Sequence, residues 1–170
     1  MPRAITRYVF WVDVFNRRVG RVVMLLIFVM IGLLLFASVS RTLFNRPLIW
    51  GIEVSQFLMA SYYLLGGAYS MQMSAHVRMD LFYSRWSDRT RAIVDAVTVV
   101  LLFVFLGALL AGGISSTSYA IQYGETSYTS WSPPLAPIKI IMTIGILMML
   151  LQSLSTFFKD VARALGEELE

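Results

Sequence analysis

The sequence contains no cysteine. Neither a disulfide framework nor a thiolate metal site is therefore available. It contains one histidine, His76, so a haem held by two histidines of this chain is excluded. No G-x-x-x-x-G-K-[ST] phosphate loop occurs. Charge is scarce: 14% of the 170 residues are Asp, Glu, Lys or Arg, against roughly 25% in a soluble domain. What fills the chain instead is apolar, with 58% hydrophobic and 14% aromatic residues and a mean hydropathy of +0.70. Disorder is excluded, because disordered chains are poor in aromatic and branched apolar residues. The pI near 9.6 does not signal a nucleic-acid partner, since the basic residues are spread among long apolar runs.

Four uncharged stretches carry the hydrophobicity: Val22 to Ser40, Val54 to Ala75, Ala96 to Gly124 and Ile140 to Phe158. About 20 helical residues at 1.5 Å each cross a hydrocarbon core of roughly 30 Å. The expected architecture is an all-α integral membrane protein with transmembrane helices at 22–40, 52–75, 95–118 and 138–158 in one membrane domain, 1–170. The third stretch is longer than a span requires, and Ser115 to Ser118 suit the interface or a tilted extension. A β-barrel would need short alternating segments, which a run such as MLLIFVMIGLLLF lacks. The first span is too long, and too far from the N-terminus, for a cleaved signal peptide.

With four spans both termini share one side. That side collects eleven of the 14 basic residues, and the other side holds only Arg41, Arg46 and Lys139. Both termini are expected in the cytoplasm by the positive-inside rule. Trp11, Trp50, Trp86 and Trp131 all fall in predicted flanks, as amphipathic indoles should. In residues 1–20, Ile5, Tyr8, Val12, Phe15 and Val19 recur at steps of 3 or 4. This pattern predicts an amphipathic helix on the cytoplasmic surface, its basic side chains toward anionic lipid. A plain topogenic basic stretch explains the same residues.

No Asp, Glu, Lys, Arg or His lies in the middle of any span. Ion-coupled carriers need intramembrane ionisable groups or broken helices, so this chain is not expected to move a substrate alone. No catalytic residue, cofactor or metal site is expected. Ala108, Gly112 and Ser116 form a small-residue stripe on the third helix, and Gly66, Ser70 and Ser74 form another on the second. Such stripes allow close helix approach; packing inside the bundle is the expectation, docking on a larger membrane partner the alternative. Gln56, Gln72 and Gln152 should each face protein, because lipid cannot satisfy an amide.

The remaining charges sit at span ends. Arg41 closes the first helix, Pro47 turns the chain, and Glu53 opens the second helix. Both charges suit the helix dipole, and an Arg41–Glu53 ion pair across the hairpin is expected. The other boundary reads His76-Val77-Arg78-Met79-Asp80, with two potential cations at a helix C-terminus.

These residues carry a resemblance. Arg41-Thr-Leu-Phe-Asn45, Trp50-Gly-Ile-Glu53, Gly66-Gly-Ala-Tyr69 and His76-Val-Arg78-Met-Asp80, in this order, resemble the small membrane (DctQ-type) subunit of tripartite ATP-independent periplasmic (TRAP) transporters. The likeness runs over about residues 20–160 through Pro134, Lys139 and Leu151-Gln152. It departs where Glu53-Val54 replaces a frequent acidic pair, and where Ala75 stands for a common glycine.

The resemblance implies a bacterial inner-membrane protein that is not an enzyme. It would be the scaffold of a secondary transporter for an organic anion, typically a carboxylate. Its implied partners are a large permease subunit, which carries the sodium coupling, and a periplasmic binding protein; membrane lipids surround it. Contact candidates are Arg41, Asn45, Trp50 and Glu53 at the outer hairpin, and His76, Arg78 and Asp80 at the cytoplasmic boundary. Tyr123, Glu125, Tyr128 and Trp131 in the outer loop 119–137 are the candidates for approach by the binding protein. A redox-complex anchor and a small homo-oligomeric channel are the competing readings.

Overall fold

The computed structural model describes residues 3–73 and 88–164. Among them are four helices: α1 (Arg3–Phe44), α2 (Gly51–Gln72), α3 (Asp88–Tyr123) and α4 (Ala136–Ala164). His76, Arg78, Asp80 and Trp86 lie outside the described residues.

The main departure from expectation is α1, which is one unbroken helix of 42 residues. At 1.5 Å per residue it is about 63 Å long, roughly twice the hydrocarbon thickness. Residues 1–20 and 22–40, expected as two helices, share this rod from Arg3 onward. No proline or exposed turn separates them, and Gly20 at the junction is buried rather than breaking the helix. A Cβ at Gly20 would lie 2.4 Å from Tyr69 Cγ, so the Tyr69 ring of α2 packs directly on α1 there. The expected apolar face is rotated. The stripe that is buried runs Val9, Asn16, Gly20 and Val23, whereas Phe15 is exposed.

Helix ends follow local chemistry. Asn45 ends α1 by taking φ 48, a left-handed conformation that Asn tolerates. Arg46 N–H then reaches back to the Ser40 carbonyl at 3.3 Å, and the Ser40 hydroxyl donates to the Arg46 carbonyl at 3.0 Å. Pro47 disfavours helical backbone at Arg46 and keeps the helix from resuming. Gly124, φ 60, ends α3, and Glu125 N–H closes the cap on the Ala120 carbonyl.

α4 is the hub, packing against α1, α2 and α3, while α1 also packs against α2. About a third of the way along it, a Cβ on Gly145 would lie 2.9 Å from the backbone carbon of Leu64. α3 is peripheral, and α4 is its principal neighbour. Its α4-facing stripe includes Leu106, Gly113, Thr117 and Ala120, with Leu106 and Ala120 buried. The opposite face, Val97, Leu101, Phe105, Ala108, Gly112, Ser116 and Tyr119, is exposed throughout.

Three helices, α1, α3 and α4, are long and apolar enough to cross a membrane. α2 is more polar, because Glu53, Ser55, Gln56, Ser61, Tyr62 and Tyr63 interrupt its apolar residues.

Two further expectations fail. Ala108, Gly112 and Ser116 do not pack inside the bundle: all three are exposed, and a Cβ at Gly112 would meet nothing within 4 Å. Gln56 is exposed as well. Both lie on faces that no other described helix covers.

Candidate functional site

The polar side chains gather at the two ends of the bundle. At the end that holds the α3–α4 loop, Trp50 sits at the N-cap of α2 without a side-chain cap bond, and Glu53 occupies the first turn. There its charge is favourable to the helix dipole. Yet Glu53 is only 6% exposed. The expected partner, Arg41, is exposed and makes no ion pair with it. Instead the Ser127 hydroxyl reaches Glu53 Oε1 at 3.4 Å, and Oε2 has no hydrogen-bond partner.

The loop over Glu53 is a narrow, ordered turn. Thr126 and Pro134 form an antiparallel bridge. Ser127 N–H donates to the Pro133 carbonyl, and Leu135 N–H donates to the Glu125 carbonyl at 2.9 Å. Ser132, φ 46, turns the tip, where its hydroxyl donates to the Thr129 carbonyl at 2.7 Å. Glu125 forms an ion pair with Lys139 in the first turn of α4. Thr117 joins α3 to the same turn, donating to the Lys139 carbonyl at 3.2 Å and contacting the Thr143 hydroxyl at 2.9 Å.

This fastening holds four aromatic rings outward. Tyr119, Tyr123, Tyr128 and Trp131 are exposed, Tyr128 completely so at 102%. Tyr119 and Tyr123 lie one turn apart with ring centroids 4.6 Å from each other. Beside them an open groove of about 420 Å³ runs between α3 and α4, lined by Ile114, Thr117, Ser118, Ile121, Gln122 and Thr143. The structure thus brings Trp50, Glu53, Tyr123, Glu125, Tyr128 and Trp131 to one end. Asn45 is there as a helix terminator.

The opposite end holds a network of which the sequence reading singled out only Gln72 and Gln152, as amides that should face protein. Asp13 of α1 forms an ion pair with Lys159 of α4. Its Oδ1 also accepts from Gln152 Nε2 at 3.0 Å and from the Ser155 hydroxyl at 3.2 Å. Asn16 Nδ2 donates to Gln152 Oε1 at 2.6 Å, and Gln72 Nε2 of α2 donates to the Asp13 carbonyl at 3.2 Å. Tyr8 donates to the Leu151 carbonyl at 3.1 Å. Three helices meet here through buried or half-buried polar groups, which fixes their register more sharply than apolar contact would. A signal was present. Asp13 and Asn16 are spaced i, i+3, and Gln152, Ser155 and Lys159 follow at i, i+3 and i+7, a polar stripe on each helix.

The geometry suits holding helices and presenting surfaces. Among known proteins, no curated relative matches the chain, and no solved structure matches it. Residues 30–163 match the family described as tripartite ATP-independent periplasmic transporters, DctQ component. That is a family of transporter components rather than enzymes, and three of the described helices are long and apolar enough to cross a membrane, as a multi-pass membrane protein requires. The match covers most of the sequence, and the chain belongs to the DctQ family, the small component of TRAP transporters.

Proposed function

We propose that this chain is the fixed scaffold of a TRAP-type importer in the bacterial inner membrane. In this reading it pairs with a large permease subunit and receives a periplasmic binding protein loaded with an organic anion of the carboxylate class. Sodium coupling and substrate movement belong to the permease. The bundle holds the permease's static part at a fixed depth, so that motion of the transport domain becomes translocation.

The orientation follows from charge. The Asp13–Lys159 end is cytoplasmic, with both termini, and the loop end is periplasmic. α2 is the fourth span. It packs against α1 and α4, two helices that qualify as spans on their own composition, and its polar residues are tolerable because neighbouring helices surround much of it.

One observation carries the scaffold reading: the uncovered face of α3. Ala108 and Gly112 are exposed on a membrane-crossing helix, and among the described residues no neighbouring atom lies within 4 Å of the Gly112 Cβ position. Small residues let another backbone approach closely, and the described residues supply none. The permease is assigned to that face. The aromatic group Tyr119, Tyr123, Tyr128 and Trp131 supports approach of the binding protein from the loop end, because exposed Tyr and Trp are the side chains that anchor protein interfaces.

The test is co-purification with a tag on this chain. Wild type should retain a polytopic partner of stoichiometric amount. Gly112→Leu should lose it while the free chain keeps its own thermal stability. Full retention by Gly112→Leu moves the permease to another face. Absence of any large partner from wild type removes the scaffold reading.

A further inference from the structure

The unbroken α1 presents a second exposed surface, at its N-terminal third. The face turned away from α4 carries Arg7, Phe10, Trp11, Arg17, Arg18 and Arg21, all exposed. These residues form two adjacent helical rows, 10, 17 and 21, and 7, 11 and 18, related by steps of 3, 4 and 7. The sequence pattern made Ile5, Tyr8, Val12, Phe15 and Val19 the apolar face of a surface helix whose basic side chains turn toward anionic lipid; in the structure Tyr8 of that apolar face donates to the Leu151 carbonyl and the neighbouring Val9 is buried. The face left to the bilayer is therefore the basic and aromatic one. Three of its arginines stand immediately before Val22, where the uncharged run begins, and Val22, Leu25, Phe28 and Val29 continue the same exposed surface.

That order, cation then aliphatic, matches a phospholipid laid along the helix. The guanidinium groups meet phosphate through paired N–H donors, and Val22 to Val29 meet the acyl chain. Asp13, the acid within this segment, is turned inward and engaged by Lys159, Gln152 and Ser155, so it does not neutralise the face.

We infer that Arg17, Arg18 and Arg21 form a binding site for the headgroups of anionic phospholipids. The site selects them over zwitterionic lipids and pins α1 at the cytoplasmic leaflet. The inference rests on the cytoplasmic placement of the N-terminus and not on the presence of a permease. A basic residue beside an anionic membrane contributes about a fivefold gain in binding. Three give up to about a hundredfold, and screening by water and salt leaves at least roughly tenfold.

The test uses the full chain in nanodiscs of equal phosphatidylglycerol and phosphatidylcholine. Lipids retained after transfer to detergent are counted by native mass spectrometry. Wild type should keep phosphatidylglycerol at least about tenfold over phosphatidylcholine. The triple variant Arg17→Gln/Arg18→Gln/Arg21→Gln should lose that preference, and the corresponding triple Lys variant should keep most of it. Glycerol phosphate, the headgroup without acyl chains, should not displace the retained lipid. Equal retention of the two lipids by wild type overturns the inference, as does an unchanged preference in the Gln variant. Complete displacement by glycerol phosphate also overturns it, by making this a free-phosphate site. Because the chain is studied without partners, loss of the scaffold reading would leave these outcomes as they are.

Discussion

Gly145 offers the sharpest test of how the bundle is held together. A methyl group there would sit 2.9 Å from the backbone carbon of Leu64 and 3.0 Å from its carbonyl oxygen. A side chain could rotate away from such a contact; backbone inside a helix cannot. Gly145→Ala must therefore push α2 and α4 apart, and overpacking of this kind costs about 1–3 kcal/mol. Alanine also raises helix propensity by about 1 kcal/mol over glycine, which offsets part of the loss. Gly112→Ala isolates the two effects, because nothing lies within 4 Å of its new methyl group. That variant should show the propensity gain alone. The two variants should thus differ by about 1–3 kcal/mol, equivalent to roughly 2–12 °C in Tm for a chain of this length. Thermal unfolding of both purified variants in the same detergent reads the difference. Equal Tm values would refute the close α2–α4 contact at Leu64.

The two ends of the bundle give four further expectations. Lys159→Met should destabilise the chain by about 1–3 kcal/mol, because Asp13 keeps its hydrogen bonds but loses its counter-ion in a half-buried site; adding Asp13→Asn should recover most of the loss in the same unfolding assay. Gln152→Leu should cost about 1–3 kcal/mol, since buried Asn16 is left without an acceptor. Ser127→Ala should cost under about 1 kcal/mol, as it removes two long contacts of 3.4 Å, one donated to Glu53 and one accepted from Thr129. Tyr128→Ala combined with Trp131→Ala should leave stability unchanged, both rings being exposed, while weakening capture of the binding protein in a pull-down.

The sequence made the helices legible because apolar run length is a direct physical constraint on crossing a bilayer. Asn45 and Gly124 stop their helices for local reasons that also show in the sequence. Long-range choices were another matter. Whether Glu53 meets Arg41, 12 residues away, or Ser127, 74 residues away, depends on where the α3–α4 loop folds, and no local pattern encodes that. The same holds for Asp13 and Lys159, which lie 146 residues apart. The extent of α1 was hidden by a change of surroundings within one helix: composition shifts at Arg21 and Val22, but the backbone has no reason to stop. The small residues of α3 read the same whether they meet a helix of this chain or of another. Only the open space beside Gly112 separates the two.

The scaffold account meets its most direct test in reconstituted transport. Proteoliposomes would hold this chain alone, the large subunit alone, or both, each with the binding protein and a sodium gradient. The account predicts anion uptake only when both membrane subunits are present, and no flux of ions or substrate from this chain by itself. Flux through the purified chain alone, or full uptake by the large subunit without it, would contradict the account.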